Sequence, residues 1–261
     1  MNEYERCRRL WSVWQRSAPH EILSRLDNYH MMEAYHATKM EFPELPFNTV
    51  TQLWNSSKLS TYSGSILAVL AFHNFRVQAK LADVCLEGDV PLSADLVSGI
   101  HHALSCGLFT PHQYVDLEER PGEFKQSDEV TGVFDVGTSP EEVEELLEEM
   151  ILEMDTISDK NDTLVAGAYL HARLLFLRPF NLVNTSTAIA VMNYWLRLEG
   201  HPPVVIPSAE IKQYRSYLET FDLHEDIEPL VVFFSEKISE FWGPQMRGKE
   251  TSDKPRFTLR M

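Results

Sequence analysis

The chain has 261 residues, 44% of them hydrophobic and 11% aromatic, enough to bury a large core in one domain or one domain with appendages. Lys and Arg number 23 against 39 Asp and Glu, a formal charge of −16. A surface of that sign repels phosphate backbones and anionic lipid, which argues against nucleic-acid and membrane binding and leaves room for a basic protein partner.

Three widely separated cysteines, Cys7, Cys85 and Cys106, form neither a metal-ligand pattern nor a disulfide framework, and they read as reduced structural thiols. The longest apolar run, Ile66–Phe72, is far short of the roughly 20 residues that span a bilayer, and the expectation is a buried helix face. Met1–Trp14 opens with charges and lacks an apolar leader core, which predicts a cytoplasmic protein or one exported by a route that leaves no such signal.

In chain order, helical periodicity predicts helices over 3–16, 21–37, 47–56, 62–86 and 93–106. Phe124–Val136 alternates weakly around Gly132 and predicts one short β-hairpin. The clearest helix spans 140–154, where Val143, Leu146, Leu147, Met150, Ile151 and Met154 recur at helical spacing between glutamates. Ser139-Pro140-Glu141-Glu142 before it reads as a capped start, with Glu142 completing a capping box.

After the polar stretch Asp155–Asp162, further helices are expected over 162–177, 186–199, 208–222 and 227–242. Gly200-His201-Pro202-Pro203 ends the second of these four. The sum is a mainly α fold with one small hairpin: N-terminal helices over 1–60, a core over 61–242, and a polar tail over 243–261.

The segment Arg178-Pro179-Phe180-Asn181-Leu182-Val183-Asn184-Thr185-Ser186 resembles the signature of the Fic (Fido) family, H-P-F-x-(D/E)-G-N-G-R. His171 stands seven residues ahead, where a His is frequent in that family. Pro121-Gly122-Glu123-Phe124-Lys125 resembles the entry to the family's target-docking hairpin, the flap. Ala37–Phe42, with Glu41, resembles its inhibitory helix, and Tyr214, Tyr217, Leu218 and Asp226–Leu230 its closing helices. The resemblance implies the Fic fold and, in intact members, transfer of a nucleotide-type group, typically AMP from ATP, to a protein hydroxyl.

That chemistry needs a general base, a carboxylate holding Mg²⁺, and a glycine-rich turn at a helix N-terminus offering N–H groups to phosphate. Here Arg178 stands for the base and never deprotonates at neutral pH. Leu182 stands for the metal-binding acid and Ser186 for the arginine, while branched Val183 and Thr185 replace the two glycines, disfavoured at positive φ. Pro179, Phe180 and Asn184 remain, with Phe180 expected to anchor the loop in the core.

The expected function is therefore that of a pseudoenzyme, a protein-binding or regulatory module using no cofactor and no metal. Two alternatives stay open. One is a divergent transferase moving AMP or another phosphate-containing group, and the other is an anion sensor in the remnant cleft. Phe124 and Lys125 of the flap are the candidate docking residues for a protein partner. Glu41 reads as a relic of the inhibitory glutamate or a buried structural carboxylate, or else as the partner of Arg178, whose simpler role is to face helix-terminal carbonyls. His171 reads as an interior histidine, and the adjacent His101 and His102 point in different directions and form no metal pair.

Overall fold

A computed structural model describes residues 3–17, 19–56, 62–128, 137–155 and 163–246. Among these, the chain forms eleven α-helices and no strand. They are α1 (Glu3–Arg16), α2 (Pro19–Glu41), α3 (Phe47–Ser56), α4 (Ile66–Glu87), α5 (Ala94–Ser105), α6 (Pro111–Val115), α7 (Val143–Asp155), α8 (Thr163–Leu177), α9 (Asn184–Leu198), α10 (Ile211–His224) and α11 (Glu228–Met246). Single 3-10 turns at Pro140–Glu142 and Ser208–Glu210 lead into α7 and α10.

Helices α8 and α9 are the centre of the fold because both are apolar nearly all round, which only an enclosed helix tolerates. Their buried residues include Leu164, Ala168, Leu170, Ala172 and Leu174 on α8, and the unbroken run Ser186–Leu196 on α9. They lie very close. A methyl at Gly167 would come within 2.9 Å of Leu196 Cδ2, so a small residue there sets the spacing. Around this pair pack α5 and α4 against α9, and α7, α10 and α11 against α8, while α1 lies along α11 and α2 along α4.

α7 behaves as its spacing predicts, burying Val143, Leu147, Met150, Ile151 and Met154 and turning its glutamates to solvent. Its start is corrected. The Ser139 hydroxyl donates to Glu142 Oε2 at 2.9 Å, and no side chain caps the backbone. The working capping box is at α6, where Thr110 accepts from the Gln113 N–H and Gln113 Oε1 accepts from the Thr110 N–H. That five-residue helix is too short to show a period in the sequence.

Three further expectations change. α2 continues to Glu41 instead of stopping at 37. Residues 124–128 of the expected hairpin carry no strand, and 129–136 lie outside the described residues. The tail from 243 begins as helix, with α11 running to a buried Met246, and 247–261 lie outside the described residues.

The Ile66–Phe72 run is only half buried. Ala68, Ala71 and Phe72 face the core, but Ile66 is 82% exposed and Leu67 is 47% exposed. No helix of the described residues is long and apolar enough to cross a membrane.

Candidate functional site

The motif occupies the turn between α8 and α9. Arg178 ends α8 in the left-handed region, φ 46°, with its N–H on the Leu174 carbonyl at 3.1 Å and Nε on the Leu175 carbonyl at 3.2 Å. It thus faces the helix-terminal carbonyls, the simpler of its two expected roles.

Val183 is the second left-handed residue, at φ 51° and ψ 25°, immediately before α9. A β-branched residue there is strained by about 1–2 kcal/mol or more. The turn therefore keeps the backbone a glycine would favour while carrying a side chain that disfavours it. Val183→Gly is expected to raise stability by about 0.5–1 kcal/mol, against the usual destabilising sign of Val→Gly. Urea unfolding would show it, and a loss of 1 kcal/mol or so would mean the strain is not there.

Asn184 braces the turn from within. Its Nδ2 donates to the Phe180 carbonyl at 2.6 Å, and its Oδ1 accepts from the Phe180 N–H at 3.1 Å. Phe180 is fully buried and stacks face to face on His101, with ring centroids 3.7 Å apart and planes 8° apart, and Phe124 lies 5.7 Å from the same ring. Pro179 is buried beside it, and its carbonyl accepts from the Lys125 N–H at 2.9 Å.

His101 holds the site together, and the sequence carries no signal for this. Its Nε2 contacts the Leu182 carbonyl at 3.2 Å, and its Nδ1 lies 3.0 Å from the Gly122 N–H. A carbonyl only accepts and an N–H only donates, so the ring is neutral with its proton on Nε2. Burial pushes its pKa down to about 3. His102 meets the other end of the same peptide group, its Nδ1 2.9 Å from the Pro121 carbonyl. Gly122, at φ 85°, is pressed so closely on His102 that an added Cβ would meet His102 Cβ at 2.9 Å.

A second polar group anchors the same turn. Gln113 donates to Asn181 Oδ1. Buried Glu119 accepts from the Gln126 N–H at 3.0 Å and from Ser127 Oγ at 3.3 Å. Its carboxyl is raised by burial, with the hydrogen bonds opposing.

Both described ends of the flap segment are thus tied to the motif. At the far end, Thr138 N–H donates to the Leu177 carbonyl at 3.3 Å, and Gly137 lies against the last turn of α8 with φ 72°. Phe124 is half-buried on Phe180, and Lys125 is buried, so both face inward at the base of the flap.

Glu41, at the end of α2, reaches the motif from the N-terminal side. It accepts from Ser186 Oγ at 3.1 Å, so its partner is the residue in the motif's arginine position and not Arg178. Eight residues earlier, buried Glu33 accepts from Asn193 Nδ2 at 2.7 Å, and burial pushes its pKa up to about 7. His171 is an interior histidine, as expected. It is fully buried, 2.7 Å from the Tyr214 hydroxyl, and burial lowers its pKa to about 4. No group of three or more His, Cys, Asp or Glu able to hold a metal ion occurs among the described residues, and Leu182 places a hydrocarbon where the motif has its acid.

The Fic/DOC family model matches residues 91–196, from just before α5 to the end of α9. Two curated proteins named protein adenylyltransferase Fic, from Drosophila persimilis and Drosophila pseudoobscura pseudoobscura, are each 35% identical over 70 residues. Those residues are 27% of this chain and 14% of each of theirs. A Fic domain containing signaling protein from Bacteroides thetaiotaomicron superposes with a TM-score of 0.77 at 17% identity, over 97% of this chain and all of its own. Fic-1 from C. elegans (residues 134–508) superposes with a TM-score of 0.71 at 20% identity, over 95% of this chain and 74% of its own. At those identities the superpositions show the fold.

Proposed function

Starting from a chain with the Fic fold and a Fic/DOC-family segment at its centre, we propose that it is a Fic scaffold that no longer transfers nucleotides and acts as a protein-binding or regulatory module. One observation carries this reading. The motif turn keeps its left-handed residue, its Asn184 brace and its Phe180 anchor, while the reacting positions hold Arg178, Leu182 and Ser186.

Arg178 is committed to the last carbonyls of α8 and has no proton-accepting form at neutral pH. Leu182 offers Mg²⁺ no oxygen, and Ser186 supplies a hydroxyl in place of a fixed cation. Loss of the general base alone removes about 10²–10⁴-fold in rate, before the metal and phosphate contacts are counted. The elements that survive are those that tie both described ends of the flap segment to the turn. A partner reaching that flap as an extended segment, in the manner of strand addition, fits a scaffold without turnover.

Incubation with radiolabelled ATP and Mg²⁺ is expected to put no label on the chain or on added protein. Thermal unfolding is expected to be unmoved by the same mixture, whereas a bound ligand at 100 times its Kd would add about 2.7 kcal/mol. A Mg²⁺-dependent label, lost when the turn is disrupted by Asn184→Ala, would overturn the proposal.

A further inference from the structure

The three free cysteines have different surroundings. Cys7 is 1% exposed, and burial pushes its thiol up to about 12, so it is the inert structural thiol that the sequence suggests. Cys85 and Cys106 are both half-buried. Among the described residues, only Cys106 has a histidine on its sulfur, with Sγ 3.4 Å from His102 Nε2.

Contacts on both sides fix that pair. Cys106 follows the last turn of α5, and its N–H donates to the His102 carbonyl at 3.2 Å. Its own carbonyl accepts from Asn74 Nδ2 at 2.9 Å, and the same buried amide reaches the Leu104 carbonyl at 2.9 Å. Sγ therefore leaves a backbone held from the interior. On the other side, His102 Nδ1 faces the Pro121 carbonyl. A carbonyl only accepts, so the neutral ring carries its proton on Nδ1 and offers a bare Nε2 to the Cys106 S–H. Nucleophile, base and orienting group stand in a row.

The helix field makes the sulfur depend on the imidazole. Both residues sit at the C-terminal end of α5, where the last carbonyls favour positive charge on His102 and oppose a thiolate standing alone. The sulfur gives up its proton where the ring receives it. His102 is exposed and the contact lies at the surface, so a small reagent reaches Sγ.

We propose that Cys106 is a site of reversible covalent modification by small disulfides, with His102 as its base. Disulfide exchange needs a sulfur nucleophile, a proton acceptor and open approach, and the pair supplies these three. Cys106 Sγ passes its proton to His102 Nε2 and attacks one sulfur of R–S–S–R. The old S–S bond breaks as the new one forms, and the departing thiolate takes the proton from Nε2. The products are Cys106–S–S–R and R–SH, and the disulfide itself is the oxidant. On a chain of net charge −16, a cationic disulfide is favoured over an anionic one. The proposal is independent of whether the motif turn transfers a nucleotide.

Cystamine, a small disulfide with two amines, is the probe. Added to the full folded chain, it should give an adduct that maps to Cys106 and is reversed by dithiothreitol. Mass spectrometry is expected to show it forming at least about tenfold faster than any adduct at Cys85. His102→Ala should slow Cys106 about tenfold or more while the rate at Cys85 stays that of the parent, which also reports an intact fold. His102→Gln keeps a donor for the Pro121 carbonyl but accepts no proton, and should be as slow as His102→Ala. Cys106 reacting no faster than Cys85, or at the parent's rate in either variant, overturns the proposal.

Discussion

Replacing His101 with alanine is expected to remove about 3–5 kcal/mol of stability, a large share of the roughly 5–15 kcal/mol that native domains have. Three losses coincide. The Leu182 carbonyl and the Gly122 N–H both lose a buried partner, at about 1–3 kcal/mol each. The Phe180 ring loses its stacked neighbour at 3.7 Å and faces a void. Each partner belongs to a different part of the site, so the motif turn, the start of the flap and α5 loosen together.

His102→Ala is the built-in control. His102 is exposed and makes one contact to the Pro121 carbonyl and one to Cys106, so its loss should cost under about 1 kcal/mol. Urea unfolding of both variants measures the contrast, and equal costs would mean that His101 is ordinary core packing. His101→Gln, which keeps a donor and an acceptor, should recover part of the loss.

The second large effect is on pH. Burial holds His30, His171 and His201 down to about 4 and His101 down to about 3, against about 6.5 in an unfolded chain. Between those values the unfolded chain takes up protons that the native state refuses, so stability falls as pH falls below about 6.5. His36, lowered to about 4 but less enclosed, adds in the same direction.

Glu33 opposes them. Its native pKa of about 7 lies above the unfolded one, so its contribution is present at low pH and lost as pH rises through 7. Glu41 and Glu119 are raised by burial and act in the same sense as Glu33. The histidines outnumber them, leaving a net uptake of about one to three protons on unfolding, or about 1.4–4 kcal/mol per pH unit. Urea unfolding at about pH 7 and about pH 5.5 should differ by at least about 2 kcal/mol. A stability constant to within about 1 kcal/mol across that range would contradict the assignment of these histidines as buried and neutral.

Most helices were legible in the amino-acid sequence because the information they need is local. α7 follows from apolar residues one turn apart, and the end of α9 follows from Gly200, which adopts φ 68° as a helix-terminating glycine does. The motif turn was legible in part: Phe180 is buried, and Arg178 sits on its helix-end carbonyls, an interaction within one turn of its own position. Where two local choices were near in energy, the reading failed. Ser139 was placed as a backbone cap, but its hydroxyl donates a hydrogen bond to Glu142 Oε2 instead.

What the tertiary structure alone decided is everything that joins distant parts of the chain. His101 meets Leu182 across 81 residues, Gln113 meets Asn181 across 68, and Ser186 meets Glu41 across 145. No periodicity encodes such pairs, because a hydrogen-bonding side chain has the same local pattern whichever distant group it finds. The same holds for Ile66, whose apolar character cannot say whether its helix face meets the core or water. Local propensity wrote the helices and the emptied motif, and only closure of the long loops set the histidine that clamps it and the face of α4 left outside.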